Sequence, residues 1–213
     1  MGTRLETTSI FPGEANPLDL VLKRYEKDEK ITGKTMGGRF PLNLERQKKY
    51  NFIMIGILSD SHDNLPALRQ AVELFRKAGC KLIIHAGDFV APFAARELEK
   101  SGCLMRAVFG NCDGEKKGLM SVIQPFGTIQ EAPLIFNYND INILVSHLNV
   151  PPESYAVDQK YDVIIVGHTH NPDIQKSGRT LIINPGEAGG WLTGKSTIAF
   201  FCPETGKAEI MAL

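Results

Sequence analysis

The chain has 213 residues, 43% of them hydrophobic, and its 24 Lys and Arg balance 24 Asp and Glu. That length reads as one domain with a substantial core, and the zero net charge excludes a global field drawing it to nucleic acid or an anionic membrane surface. No apolar run reaches membrane-span length, the N-terminus lacks a signal-peptide core, and Cys80, Cys103, Cys112 and Cys202 form no Cys-x-x-Cys pair, which predicts reduced thiols in a cytoplasmic protein and no sulfur-type zinc site.

Residues 1–51 are rich in Gly, Pro, Thr and charge. Only Leu18, Val21, Leu22 and Tyr25 keep helical spacing, so this leader is expected to be poorly ordered or weakly docked. Gly33-Lys34-Thr35 has the tail of a phosphate-binding loop, but Asp28 stands where the leading glycine belongs and no strand precedes it. Met54 directly precedes the first strand and is a candidate start of translation. The alternative is a genuine extension that docks on the domain or on a partner.

From Phe52 to the C-terminus the pattern is regular, and residues 52–213 are read as the functional domain. Met54 to Leu58 is an apolar run that predicts a buried strand. A helix follows, capped by Asp63 or Asn64, with Pro66 in its first turn and Leu65, Leu68, Val72 and Phe75 on one stripe. Gly79 ends it. Leu82 to Ala86 and Leu104 to Phe109 are further strands, separated by a helix from Pro92 to Lys100. This β-α-β-α-β order predicts a parallel sheet. A short helix after Gly118 is expected to reach Gln124. Ile129 to Tyr138 and Ile141 to Ser146 are expected to pair around Asn139-Asp140. Pro152 to Lys160 is a loop or helix, and Val163 to Val166 is another apolar strand. Strands at Arg179 to Asn184, Thr197 to Phe201 and Ala208 to Met211 complete an α/β chain that is β-rich in its second half.

Asp60, His62, Asp88, Asn111, His147, His168 and His170 each lie at or just past the end of a predicted apolar strand. Side chains at i and i+2 of an extended segment share a side, so Asp60 and His62 are expected to meet at one atom. Each residue alone has an ordinary role as a turn former or packed imidazole. Their convergence from five strand ends is what a metal site requires.

The order Asp60-x-His62, Gly87-Asp88, Gly110-Asn111-Cys112-Asp113, His147, Gly167-His168-Thr169-His170 resembles the calcineurin-like metallophosphoesterase superfamily. It is most similar to the small prokaryotic phosphodiesterases of the YfcE and MJ0936 type. Ile183-Asn184-Pro185-Gly186-Glu187 and Gly190-Trp191-Leu192-Thr193-Gly194 extend the likeness. The resemblance implies a β-sandwich flanked by helices, in α-β-β-α layers, with two divalent metals at its rim. Asp60, His62, Asp88 and His170 would hold one metal. Asp88, Asn111, His147 and His168 would hold the other, with Asp88 bridging. Metals about 3.5–4 Å apart clamp the attacking and leaving oxygens, and binding lowers the pKa of water to about 7, so a metal-bridging hydroxide is the expected nucleophile on phosphorus. Oxygen donors mixed with imidazole suit manganese first, then nickel, zinc or iron. The catalytic set is thus expected to be the seven ligands, with Asn111 and His147 also meeting a small phosphodiester substrate. No membrane or nucleic-acid partner is evident, and a homo-oligomer is compatible with the sequence. The same fold also serves as a protein-interaction scaffold in Vps29, which is the competing reading.

Two positions depart from the superfamily. Cys112 stands where many members place a His that protonates the leaving group, and a thiol is a poor acid at neutral pH. His147-Leu148-Asn149 replaces a frequent His-Gly-His. Beyond the ligands, His85 is expected as a packed histidine behind the metal site, and Glu187 as a carboxylate steadying a ligand imidazole. Lys116 and Lys117 read as exposed lysines before a helix. Trp191, in its Gly-rich loop, is expected in the core or at an interface, with substrate stacking the lesser reading.

Overall fold

An apolar run with no polar alternation implies a strand covered on both faces, and the structure builds two sheets and helices around such a run. The computed structural model describes residues 53–147 and 152–213 together with the strand β1 (Thr7–Thr8). The chain then forms β2 (Ile55–Leu58), helix α1 (Leu65–Lys77), β3 (Leu82–His85), and α2 (Pro92–Ala95) running into a 3-10 turn at Arg96–Ser101. Next come β4 (Leu104–Val108), α3 (Lys116–Ile123), β5 (Gly127–Gln130), β6 (Leu134–Tyr138) and β7 (Ile141–Val145). Helix α4 (Pro152–Ala156), β8 (Val163–Ile165), β9 (Pro172–Ser177), β10 (Thr180–Pro185), β11 (Thr197–Cys202) and β12 (Lys207–Ala212) complete it. The helical spacing of Leu18–Tyr25 and the positions Leu148 and Asn149 lie outside the described residues.

One sheet has the order β1-β12-β11-β2-β3-β4-β5 and the other β6-β7-β8-β10-β9. In the first, β2 to β5 run parallel, and β11 joins β2 antiparallel. Ile55, Ile57, Ile84 and Val108 of one sheet pack against Ile143, Val145, Val163 and Ile183 of the other. Met54 and Leu58 face the opposite way, onto Leu68, Val72 and Phe75 of α1. On the far side of the second sheet, Leu144, Ile164 and Ile182 are covered by Ala156 of α4. The layers are therefore α-β-β-α. Gly56 keeps α1 close: a Cβ there would lie 2.5 Å from the Phe75 ring. Asn64 caps α1, its Oδ1 accepting the Ala67 amide at 3.2 Å, and Pro66 occupies the first turn, where a missing N–H costs nothing.

Three elements differ from the sequence reading. The single strand expected over Ile129 to Tyr138 is two, because β5 joins the first sheet beside β4 while β6 joins the second beside β7. Pro133 lies between them and has no N–H for a continuous ladder. Helix α3 begins at Lys116 and runs through Gly118. β9 was not expected; it is a polar edge strand whose one buried apolar residue is Ile174, too little alternation to show in sequence.

Phe75 is fully buried and meets Phe200 edge-on at 5.7 Å between ring centroids. Phe75→Ala is expected to lower stability by about 3–5 kcal/mol, read as a shift of the urea midpoint with an unchanged slope.

Candidate metal centre

The strand ends deliver the polar residues through turns. β2 stops at Leu58, and Asp60 and His62 follow with φ of 52° and 40°. They are not on an extended segment, so alternation is not what brings them together. Asp88 (φ 60°), His168 (φ 68°) and His170 (φ 60°) share this left-handed backbone, which costs a non-glycine residue roughly 1–2 kcal/mol. Hydrogen bonds between loops hold the geometry. The amides of Asp60, His62 and Asp63 donate to the carbonyls of Gly87, Asp88 and Phe89 at 2.9, 3.2 and 3.2 Å, so the loops after β2 and β3 are zipped side by side.

A carboxylate that the sequence reading left without a role fixes the next loop. Asp113 is buried and accepts four backbone N–H groups, from Asp88 (3.0 Å), Phe89 (2.8 Å), Val90 (2.8 Å) and Gly110 (2.7 Å). It ties the loop after β4 to the loop after β3. In return the Cys112 amide donates to Asp88 Oδ1 at 2.8 Å. Gly110 allows this approach, since a Cβ there would collide with the Asp88 carboxylate. Gly87 has φ 100°, and a Cβ on it would sit 2.7 Å from His147 Nδ1.

The imidazoles present one nitrogen each to the centre. His147 Nδ1 lies 2.7 Å from the Ala86 carbonyl. A carbonyl only accepts, so Nδ1 carries the proton and Nε2 is left with a lone pair, 3.4 Å from Asp88 Oδ2 and 3.0 Å from Asn111 Oδ1. His170 repeats the pattern, with Nδ1 2.9 Å from Glu187 Oε2 and Nε2 3.3 Å from Asp60 Oδ1. Such an acceptor behind an imidazole fixes its tautomer and raises its basicity toward a cation. His62 Nε2 lies 3.6 Å from Asp88 Oδ2 and 4.0 Å from Asp60 Oδ1, and its ring stacks on His170 at 5.3 Å.

The electrostatics follow from burial and partners. Burial raises the pKa of Asp60. Burial pushes Asp88 the same way, but the neighbouring His147 imidazole and the Cys112 amide outweigh it and hold this carboxyl well below the usual range. Burial works against charge on His147, yet Asp88 prevails and raises its pKa. Glu187 is pulled up by burial and down by Thr193, His170 and Leu192, the net being about 2. It is ionised at neutral pH and accepts the His170 Nδ1–H. Cys112 is pushed up to about 11 by local burial and by Asp88.

Two atoms test whether the site fits a cation. Asp60 Oδ1 and His62 Nε2 are buried and have no hydrogen-bond partner among the described residues, and both face the other donors. Ligand atoms of Asp60, His62 and His170 lie within 4.8 Å of one another, as do those of Asp60, Asp88 and His147, and those of His62, Asp88 and Cys112. Carboxylate oxygen and imidazole nitrogen in this mixture suit a divalent transition metal. Asp60 thus reaches both histidine groups, as Asp88 does. Asn111 enters through His147. His168 is exposed; its amide donates to Asp60 Oδ2 at 3.1 Å and its ring meets His147 at 5.3 Å, while its nitrogens are outside the three groups. His85 lies behind the site, its Nδ1 accepting the Gly87 amide at 3.2 Å and its Nε2 3.0 Å from Ser61 Oγ. Lys116 bonds Glu131 at 2.7 Å. Trp191 is not in the core: it is 64% exposed, and its indole N–H donates to the His62 carbonyl at 3.0 Å.

Comparison with known proteins matches this geometry. Residues 53–206 match the family model of the calcineurin-like phosphoesterase superfamily domain. The phosphodiesterase MJ0936 of Methanocaldococcus jannaschii is 36% identical over 157 residues, covering 70% of this chain and 93% of the relative. Phosphodiesterase YfcE of Escherichia coli K12 is 28% identical over 141 residues, covering 60% and 75%. The solved structure of an archaeal phosphodiesterase superposes with a TM-score of 0.72 at 33% identity, over 76% of this chain and all of that one. Vps29 from Cryptosporidium parvum superposes at 0.56 with 15% identity, over 76% and 97%, which is a likeness of fold.

Glu187→Gln keeps the volume and removes the charge behind His170. Affinity for manganese, read by calorimetric titration, is expected to fall about 10–100-fold, with the circular dichroism spectrum unchanged.

Proposed function

The chain belongs to the calcineurin-like phosphoesterase superfamily, and from that premise we propose that it is a two-metal phosphodiesterase acting on small phosphodiesters. The observation that carries this reading is the pair of buried atoms Asp60 Oδ1 and His62 Nε2, without a hydrogen-bond partner among the described residues, facing Asp88, beside imidazoles whose far nitrogens are already bonded. Asp60, His62, Asp88 and His170 would hold one cation; Asp88, Asn111 and His147, with His168, would hold the other. Manganese is the first choice for this donor set, with nickel, zinc and iron as alternatives. Bound cations of this kind supply a deprotonated water at neutral pH and neutralise the phosphoryl oxygens.

The chain's own residues do the rest. Asn111 and His168 are exposed at the mouth and are placed to meet a phosphoryl oxygen, with His147 beneath them. Asp113 and Glu187 hold the ligand loops in place before any substrate arrives, so little reorganisation is left for the reaction itself. Cys112, its thiol at about 11, is too weak an acid to protonate a leaving group efficiently at neutral pH. The reading therefore favours esters whose leaving group departs without help, or is protonated by water. The four free cysteines suit a reducing compartment such as the cytoplasm. A scaffold of Vps29 type with a vestigial or structural metal site would share the fold and the donors, and turnover is what separates it from the enzyme.

The test is hydrolysis of bis-p-nitrophenyl phosphate by protein loaded in turn with manganese, nickel, zinc and iron. Turnover is expected with manganese. Asp88→Asn is expected to lower it by roughly a hundredfold or more and to reduce the bound manganese. No turnover with any of the four metals would overturn the reading, and full activity in Asp88→Asn would remove that residue from the bridging role.

A further inference from the structure

Trp191 is the single tryptophan of the chain, and it sits on the surface with 64% exposure, next to Leu192 at 76%. Tryptophan is highly buried on average, so a displayed indole calls for a reason. This one is not loosely displayed. Its N–H is held by the His62 carbonyl at 3.0 Å. Its Cδ1 lies 3.1 Å from where a Cβ on Gly189 would stand, so the ring rests over a residue without a side chain. The loop beneath is tied down as well. Ala188 and Gly189 donate to the carbonyls of Ser59 and Asp60 at 2.8 and 3.0 Å, Asn64 Nδ2 donates to the Gly189 carbonyl at 2.7 Å, and the Leu192 amide donates to Glu187 at 3.0 Å. One loop therefore touches His62 through its indole and reaches His170 through Glu187. It stands at the rim of the candidate metal centre with an orientation already fixed and a large apolar surface open to solvent.

We propose that Trp191 is a specificity-determining residue, a stacking wall for a planar ring on the ester group of the substrate. This inference rests on the phosphodiesterase reading. It narrows the substrate class to small phosphodiesters carrying an aryl group or a nucleobase. A pre-oriented aromatic face loses little freedom on contact, which is why aromatic residues make effective platforms for planar groups. The zero net charge of the chain argues for a small diester over a polymer, since a nucleic-acid track needs a basic groove.

Two variants separate stacking from an indirect effect through His62. Trp191→Ala removes both the ring and the N–H. Trp191→Phe keeps a ring and gives up the N–H. On bis-p-nitrophenyl phosphate, Trp191→Ala is expected to raise KM about tenfold with kcat little changed, and Trp191→Phe is expected to recover most of that loss. Because Trp191 is the sole tryptophan, its emission reports binding directly. Diphenyl phosphate, carrying aryl groups, and thymidylyl-thymidine, carrying bases, are titrated into the metal-loaded wild type under acrylamide quenching, with dimethyl phosphate as the ringless control. Shielding by either ringed compound and not by dimethyl phosphate supports the proposal, and which of the two shields identifies aryl or base as the ring. Equal impairment of both variants would overturn it in favour of a positioning effect on His62. Unchanged KM in Trp191→Ala, or no shielding by either ringed compound, would also overturn it while leaving wild-type turnover, and so the phosphodiesterase reading, intact. Absence of wild-type turnover would end both.

Discussion

The centre of this structure is governed by one imbalance. Asp60 is fully buried, and its carboxylate has too few hydrogen-bond donors. Oδ2 accepts the His168 amide at 3.1 Å, while Oδ1 accepts nothing from the described residues. Removing a carboxylate from water costs several kcal/mol unless its lone pairs are met. The groups nearest Oδ1 are the Nε2 atoms of His170 and His62 at 3.3 and 4.0 Å. His170 cannot donate from Nε2 while its Nδ1 proton goes to Glu187 and the ring is neutral. Carboxylate oxygen thus faces imidazole lone pair, an arrangement that a shared cation resolves.

The sandwich makes this imbalance sustainable. β2, β3 and β4 run parallel in one sheet, as do β7 and β8 in the other, so five loops leave the same end. Above two layers of close-packed Ile, Val and Leu, these loops adopt backbone conformations that would not persist alone. Asp60, His62, Asp88, His168 and His170 all have positive φ. Such strain persists only where the surroundings over-determine it. Here the surroundings are the amide-to-carbonyl rungs between the loops after β2 and β3 and the four amides gathered by Asp113.

Much of this was legible in the sequence, and the reasons are physical. Strands buried on both faces must be apolar at every position, so β2, β3 and β8 announced themselves. Carboxylate and imidazole residues at the ends of such runs have few other reasons to recur together, so all seven candidate residues could be named, while grouping His170 with Asp60 across more than a hundred positions came from the family resemblance and not from the strand pattern. The backbone could not be read. Asp60 and His62 meet through left-handed turns, a geometry for which Asp and His carry only a weak enrichment beside that of glycine. Asp113 was invisible because an Asp before Gly114 reads as an ordinary turn former; its burial beneath four amides depends on two distant loops meeting. β9 was missed because an edge strand needs little apolar surface. The core reading of Trp191 failed for the opposite reason, since a large aromatic residue defaults to the interior unless its neighbours are known. The Gly-rich run around it was the available signal, because such a loop brings backbone close to a partner and leaves a bulky side chain little room to fold under.

The polar centre also bears on stability. Five strained residues and the under-bonded, buried Asp60 carboxylate oppose folding, and the hydrophobic layers must exceed that cost for the chain to fold before any ion binds. A cation that binds only the folded arrangement returns free energy through linkage, by RT ln(1 + [L]/Kd). The return is largest where the donors are already in place, because no ordering is left to offset it. Glu187, Asp113 and the Ala86 carbonyl provide that readiness: none needs to touch an ion, yet each fixes a group that would. The same division holds at the rim, where the His62 carbonyl fixes the indole and leaves its face open. In this fold the groups closest to the chemistry are held by others one step removed, and it is those holders, spread over turns and loops, that convert a rigid sandwich into a defined site.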